Sequence, residues 1–236
     1  MNIVSRNRVR RLGFICLVAM ASSLTQVSAG ALDALTSKDA SGGLRAALGQ
    51  GIDLAVTQLG ATDGFLKDPK VSIPLPPALQ KADRALRMLG MANDADTLKA
   101  AMNHAAEAAV AQAKPVFKDA LTRMTIADAK SILGGADDAG TQYFRKATSA
   151  QLTEKFKPII ARETAKLKLA TLYDQYAGKA ASVGLLKAQD ANLNDYVTAK
   201  ALDGLFSRIG DEEKAIRKDP LGQTSSLIRK VFGAAR

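Results

Sequence analysis

The stretch from Asn93 to Met124 contains no glycine and a single proline, Pro115, and residues of high helix propensity dominate it. Asn93 and Asp94 are good N-cap residues, and Asp96 adds negative charge to the first turn. At 100° per residue, Leu98, Met102, Ala105, Ala106, Ala109, Val110, Ala113, Val116, Phe117, Ala120, Leu121 and Met124 fall on one apolar stripe. The spacing predicts one long helix over about 94–124, kinked at Pro115, where a hydrogen bond is lost and the carbonyl of Ala111 is crowded. Ala101, Ala108 and Ala111 lie beyond one edge of the stripe, so a second helix can approach closely there.

Asn103 and Glu107 share a face of this helix at the other edge of the stripe, with Lys114 near the same line. Two readings stand. In the first they close a polar network with a neighbouring helix or cap a loop. In the second Glu107 is a half-buried carboxylate lining a pocket. His104, the only histidine, points nearly opposite the stripe and reads as a surface imidazole.

No segment alternates like a strand, tryptophan is absent and alanine is abundant. The expected fold is all-α, a multi-helix bundle around the 94–124 helix. The chain opens with Arg6, Arg8, Arg10 and Arg11 and no acid, then a short apolar run from Leu12 to Met20, then Val27-Ser28-Ala29. That is the pattern of a cleavable secretory signal over 1–29, cut between Ala29 and Gly30. The apolar run is too short for a stable membrane span. Residues 30–236 then form a single all-helical domain, expected in the periplasm. Cys16 falls in the leader, so the mature chain has no cysteine and hence no disulfide, thiolate metal site or cysteine nucleophile. Without the leader the net charge falls from +10 by four arginines, a modest excess with no basic-aromatic face, and no nucleic acid partner is expected.

A first helix is expected from Ser37 or Asp39 to Leu59, with Gly60 as its C-cap; its glycines suit close backbone packing. From about 66 to 76 three prolines, Val71 and Ile73 keep the chain out of helix. This Pro-rich crossover carries the chain across the bundle, and it is the one place where a short strand can form. Pro76 and Pro77 start a helix running to Leu89. Thr125 and Asp128 make a capping box for a short helix that ends at Gly134-Gly135. Asp137 or Asp138 begins a helix with Tyr143 and Phe144, and Thr148 with Gln151 is expected to open a separate one, with Pro158 in or just before a kink. Gly178 and Gly184 bracket a connector. A helix from Asn192 is expected to stop at Gly210, with Asp211-Glu212-Glu213 starting another that Asp219-Pro220 ends. A last basic amphipathic helix from Thr224 docks back on the bundle, with weak membrane-surface contact as its alternative.

In this order the segments resemble the bacterial family catalogued as domain of unknown function 4197. The motifs are Asp63-Gly64-Phe65, Ile73-Pro74-Leu75-Pro76, Met102-Asn103-His104-Ala105-Ala106-Glu107, Met124-Thr125-Ile126 with Asp128-Ala129, Ile132-Leu133 with Gly135, Thr141 with Tyr143-Phe144, Ala201-Leu202-Asp203-Gly204-Leu205-Phe206, and Glu213 with Ile216-Arg217 and Asp219-Pro220. The resemblance implies a secreted or periplasmic helical protein without an established activity, so it carries no functional residues over. The family more often has arginine at the position of His104, which argues against a catalytic imidazole.

One histidine cannot make an ordinary zinc site, and no serine-triad elbow is present. Gly135 to Thr141 lacks the lysine of a phosphate loop, and Asp190, Asn192 and Asn194 imitate a calcium loop without its terminal glutamate. No metal and no cofactor are expected. The candidate ligand or polar-network residues are Asn103, Glu107, Asp128, Thr141, Tyr143, Arg217 and Asp219. Arg217 reads as an anion contact or, preferred, as a tie between helix ends. The expected function is a non-enzymatic binding or interaction protein taking a small apolar ligand or an envelope protein. The alternative is a hydrolase-like enzyme using the Glu107 carboxylate.

Overall fold

The structure is a computed structural model that describes residues 37–88, 90, 92–166, 168–182, 193–220, 226, 229, 231 and 232. The expected leader, its cleavage position, Cys16, Asp190 and Asn192 lie outside the described residues. In chain order the helices are α1 (Ser37–Leu59), α2 (Pro77–Met88), α3 (Ala92–Val110), α4 (Lys114–Arg123), α5 (Ile126–Leu133), α6 (Ala139–Lys166), α7 (Leu169–Ser182) and α8 (Leu193–Lys218). The fold is all-α, with no strand among the described residues.

Helix α3 is the centre of the bundle. It packs against α1, α2, α6, α7 and α8. Ala95, Leu98, Met102, Ala105, Ala106, Ala109 and Val110 are all fully buried, and Ala101 is buried on the second side. Small residues on two faces let neighbouring helices come close, as the alanine pattern predicts. α8 lies across α6 and α1. At their junction with α4, the Phe117 ring stands edge-on to Phe144, with centroids 5.6 Å apart, and to Phe206, at 6.1 Å. Burying each such ring contributes about 1.5–3 kcal/mol, and edge-to-face pairing adds to it. Val231 and Phe232 are helical and buried, so these two residues of the C-terminal segment are docked on the bundle.

The kink expected at Pro115 is a full break. α3 ends at Val110, and the backbone tightens: the Gln112 N–H donates to Ala109 at 3.0 Å and the Ala113 N–H to Val110 at 2.9 Å. Pro115, which has no N–H to give Ala111, sits in the first turn of α4, where none is needed. The central element is therefore two helices, not one over 94–124.

Three expected boundaries are absent for the opposite reason. Thr148 does not open a new helix: α6 runs unbroken through it, and its buried hydroxyl donates to the Phe144 carbonyl at 2.7 Å. A threonine that bonds back one turn stays in a helix instead of capping one. Pro158 also lies within α6, on its exposed side. Gly178 lies within α7. Gly210 does not stop α8; it is buried in the helix interior, facing Thr141 of α6. Tertiary packing outweighs the roughly 1 kcal/mol that a mid-helix glycine costs.

The Thr125 capping box is present in both directions. The Asp128 N–H donates to Thr125 Oγ1 at 3.1 Å, and the Thr125 N–H donates to Asp128 Oδ2 at 2.9 Å. The bonds that the Thr125 N–H and the Thr125 hydroxyl donate to Asp128 Oδ2 hold that carboxyl below the ordinary carboxylate range. Thr125→Ala removes one of the two, and is expected to lower stability by about 1 kcal/mol, read as a shifted urea midpoint at unchanged slope.

Candidate functional site

The non-helical strap after α1 crosses the side of α3, and Asn103, His104 and Glu107 are what it meets. The crossover expected to be extended over about 66–76 is a run of turns up to Val71, closed by bonds such as Ser72 N–H to the Asp68 carbonyl at 2.8 Å, and opens out only over 72–76. It turns sharply at Asp63, whose φ of 64° is a conformation that aspartate tolerates better than most residues. Glu107 then accepts three backbone N–H groups. Its Oε2 takes Asp63 at 3.2 Å, and its Oε1 takes Phe65 at 3.1 Å and Leu66 at 3.3 Å. Seven residues past Leu66 along the strap, Asn103 Oδ1 accepts the Ile73 N–H at 2.8 Å, and its Nδ2 donates to the Ile73 carbonyl at 3.0 Å and to the Lys99 carbonyl at 2.7 Å. The asparagine amide thus pairs with Ile73 as a neighbouring strand would. This is why an extended segment without a strand partner keeps its inner backbone satisfied.

His104 is half-buried, not a free surface imidazole: its Nε2 lies 3.2 Å from Asp63 Oδ1. Lys67, and after it His104, hold the Asp63 carboxyl below its ordinary range. A depressed carboxyl supports the fold above the ordinary carboxylate range, and that support fades as pH falls through the lowered value. Tyr196 of α8 adds a bond from its hydroxyl to the Pro74 carbonyl at 3.0 Å.

Apolar side chains lock the inner side of the strap. Phe65, Val71, Ile73 and Leu75 are buried. Phe65 packs on α8 at Gly204, where an added Cβ would sit 2.6 Å from Phe65 Cε1 and 3.3 Å from Val71 Cβ. Gly204→Ala is expected to cost about 1–3 kcal/mol through this clash, with the strap amides becoming faster in hydrogen exchange than the rest of the bundle.

The second polar centre is Glu213 of α8. Its Oε1 accepts the Gly140 N–H at 2.9 Å, and its Oε2 accepts the Thr141 N–H and hydroxyl, both at 2.8 Å. Glu213 therefore caps α6 from another helix, satisfying amides that α6 itself cannot. Arg217, one turn on, donates from Nη2 to Glu213 Oε1 at 2.9 Å and to the Ile132 carbonyl at 2.8 Å. The Glu213 side chain is 2% exposed and that of Arg217 13%. The Arg217 guanidinium also lies 5.5 Å from the centre of the Phe232 ring. Beside this centre is an apolar cleft between Ala47, Leu48, Gly51, Ile209, Ile216 and Phe232, with an interior of about 10 Å³. That is room for one water molecule.

The candidates thus fall into three pairs, with Asp219 apart. Asn103 and Glu107 clamp the strap, so they form a helix–backbone contact. Thr141 and Arg217 meet at Glu213, a residue that the sequence pattern placed only in an acidic helix start. Arg217 is the expected tie between helix ends, reaching from α8 to the end of α5. Asp128 serves its capping box, close to Tyr143, which packs edge-on against Phe144 at 5.4 Å. Asp219 follows the end of α8, its N–H on the Ala215 carbonyl at 3.1 Å. One signal for Glu213 was available. It lies four residues after Ile209 and three before Ile216 on the apolar face of α8, a periodicity hidden by ending the helix at Gly210.

Among the described residues no group of His, Cys, Asp and Glu is placed to hold a metal ion, and no helix is long and apolar enough to cross a membrane. The family described as "Protein of unknown function (DUF4197)" matches residues 34–233. No curated protein and no solved structure matches the chain.

Proposed function

The chain belongs to the DUF4197 family, and from that premise we propose that it is an exported periplasmic bundle acting by binding an envelope protein, without catalysis of its own. The observation that carries this reading is the occupation of Glu107. A general acid or base has to reach a proton on a substrate. Both oxygens of Glu107 instead receive amide hydrogens of the strap. Glu213, the other buried carboxylate among the described residues, is likewise occupied by α6 and Arg217. The polar interior of the described bundle holds its own backbone, which leaves function to the surface.

Between the two expected occupants, packing favours the protein partner. The inner face of α3 is filled by neighbouring side chains, and the cleft at α1 and α8 has room for no more than about one water molecule. The leader pattern supports export.

The test is native mass spectrometry of the mature protein purified from the periplasm of its own cell, with and without prior cross-linking. A reproducible protein adduct of defined mass is the expected result. A co-purifying lipid or metabolite with no protein adduct would replace this reading with a carrier. Glu107→Gln serves as the enzymatic control: complementation of a deletion strain should fall only as far as the amount of folded protein falls. Loss of complementation at full folded level would reinstate the carboxylate enzyme.

A further inference from the structure

Beyond Pro220 the described residues are Ser226, Arg229, Val231 and Phe232. Ser226 and Arg229 are exposed, whereas Val231 is fully buried and Phe232 is 4% exposed. Phe232 forms one wall of the apolar cleft between α1 and α8, facing Leu48 and Gly51 on one helix and Ile209 and Ile216 on the other. Between the ring and these residues an interior of about 10 Å³ remains.

The other walls are held without Phe232. Gly51 lets α1 close on α8: a Cβ there would sit 3.3 Å from Glu212 Cβ and 3.8 Å from Ile216 Cδ1. Leu48 is set against Gly140 of α6, where an added Cβ would lie 2.6 Å from Leu48 Cδ2. Glu213, also in the lining, is fixed by the Gly140 and Thr141 amides. Arg217 is held by Glu213 and the Ile132 carbonyl, with its guanidinium 5.5 Å from the centre of the Phe232 ring. A cation already fixed beside the pocket attracts an aromatic face more than an aliphatic side chain.

The hold on the segment is weaker than the hold on the walls. Helices α1, α6 and α8 bury residues turn after turn, while among the described residues past Pro220 only Val231 and Phe232 are buried. The gain from two apolar anchors is set against the order imposed on the backbone that carries them. Elements with few buried contacts open locally, without unfolding the rest.

We propose that the α1–α8 pocket is a preformed site for an aromatic residue of a partner protein, and that Phe232 is its resident occupant, displaced when the partner binds. Val231 leaves with it. The contact is autoinhibitory, because the chain competes with its partner for its own pocket. This rests on the protein-binding reading above and names where the partner enters the bundle.

The probe is a fluorescent peptide with the sequence of residues 224–236, added in trans to the mature protein and to its Phe232→Ala variant, with binding read by anisotropy. The variant should bind the peptide saturably, and the intact protein about tenfold more weakly or less, since its own ring competes. A peptide carrying Phe232→Leu should bind the variant several-fold more weakly than the native peptide does, the share of the ring–cation contact. In hydrogen exchange the variant should keep the protection of residues 47–51 and 209–216. Absence of saturable binding to the variant overturns the pocket. So does faster exchange throughout the bundle in both Phe232→Ala and Phe232→Leu proteins, which would make the ring an ordinary core residue. The partner is tested separately. The yield of the cross-linked protein adduct should rise in Phe232→Ala and fall when the peptide is in excess. An adduct that neither change moves overturns the displacement. No adduct from either protein removes the protein-binding reading, while the peptide result still decides the pocket.

Discussion

Glu213→Ala is expected to be the most destabilising single substitution in the described part of the chain, at about 3–5 kcal/mol, the usual cost of removing one member of a buried ion pair. Two losses combine. The Arg217 guanidinium keeps the Ile132 carbonyl but loses the Glu213 carboxylate. Gly140 and Thr141 lose their acceptor at the start of a 28-residue helix, in a position that water reaches poorly. Urea unfolding of the mature protein measures the total. A cycle with Arg217→Met separates the two parts, because the double variant should be less destabilised than the sum of the singles. Strict additivity would mean that the pair contributes no more than each side chain's own packing.

Glu107→Ala is expected to cost about 3 kcal/mol or more, since each buried N–H left without an acceptor costs about 1–3 kcal/mol. The three amides are not equal. Phe65 is fully buried, whereas Asp63 and Leu66 are partly open and can recruit water. The loss should therefore concentrate at Phe65. Hydrogen exchange gives the distinguishing pattern: amides of Asp63, Phe65 and Leu66 exchange faster by orders of magnitude, while that of Ile73, held by Asn103, changes less. If the whole bundle exchanged faster by one common factor, the strap would be an integral part of the cooperative fold and not a locally clamped element.

Much of this architecture is legible in the sequence, because helix faces and caps are local. The stripe from Leu98 to Val110, the capping box at Thr125 and the end of α5 at Gly134 follow from neighbours in the chain. The errors share a cause. Thr148 and Gly210 have local chemistry that favours an end, and packing partners distant in sequence that favour continuation. Glu213 was missed for the same reason: its acceptor role concerns residues 72 and 73 positions away. The pairing of Asn103 and Glu107 on one face was visible in the spacing. Whether that face met a pocket or the chain itself depended on where the strap crossed, which no local pattern states.

Both carboxylate clamps, and the amide clamp at Asn103, grip main chain. Glu107 contacts the backbone of Asp63, Phe65 and Leu66, Asn103 that of Ile73, and Glu213 that of Gly140 and Thr141. Glu213 also holds the Thr141 hydroxyl and leaves no room for a Cβ at Gly140, but at Asn103 and Glu107 the grip is on peptide groups alone and is indifferent to the side chains that follow them. Correlated substitution between clamp and clamped segment is therefore not required, and the two ends can drift independently over evolutionary time. The outer positions of the strap, among them Lys67, Pro69 and Pro74, face solvent and are released from the task of holding the strap down. That makes the strap a natural place to vary a recognition surface, by selection or by grafting, while the bundle beneath it stays the same.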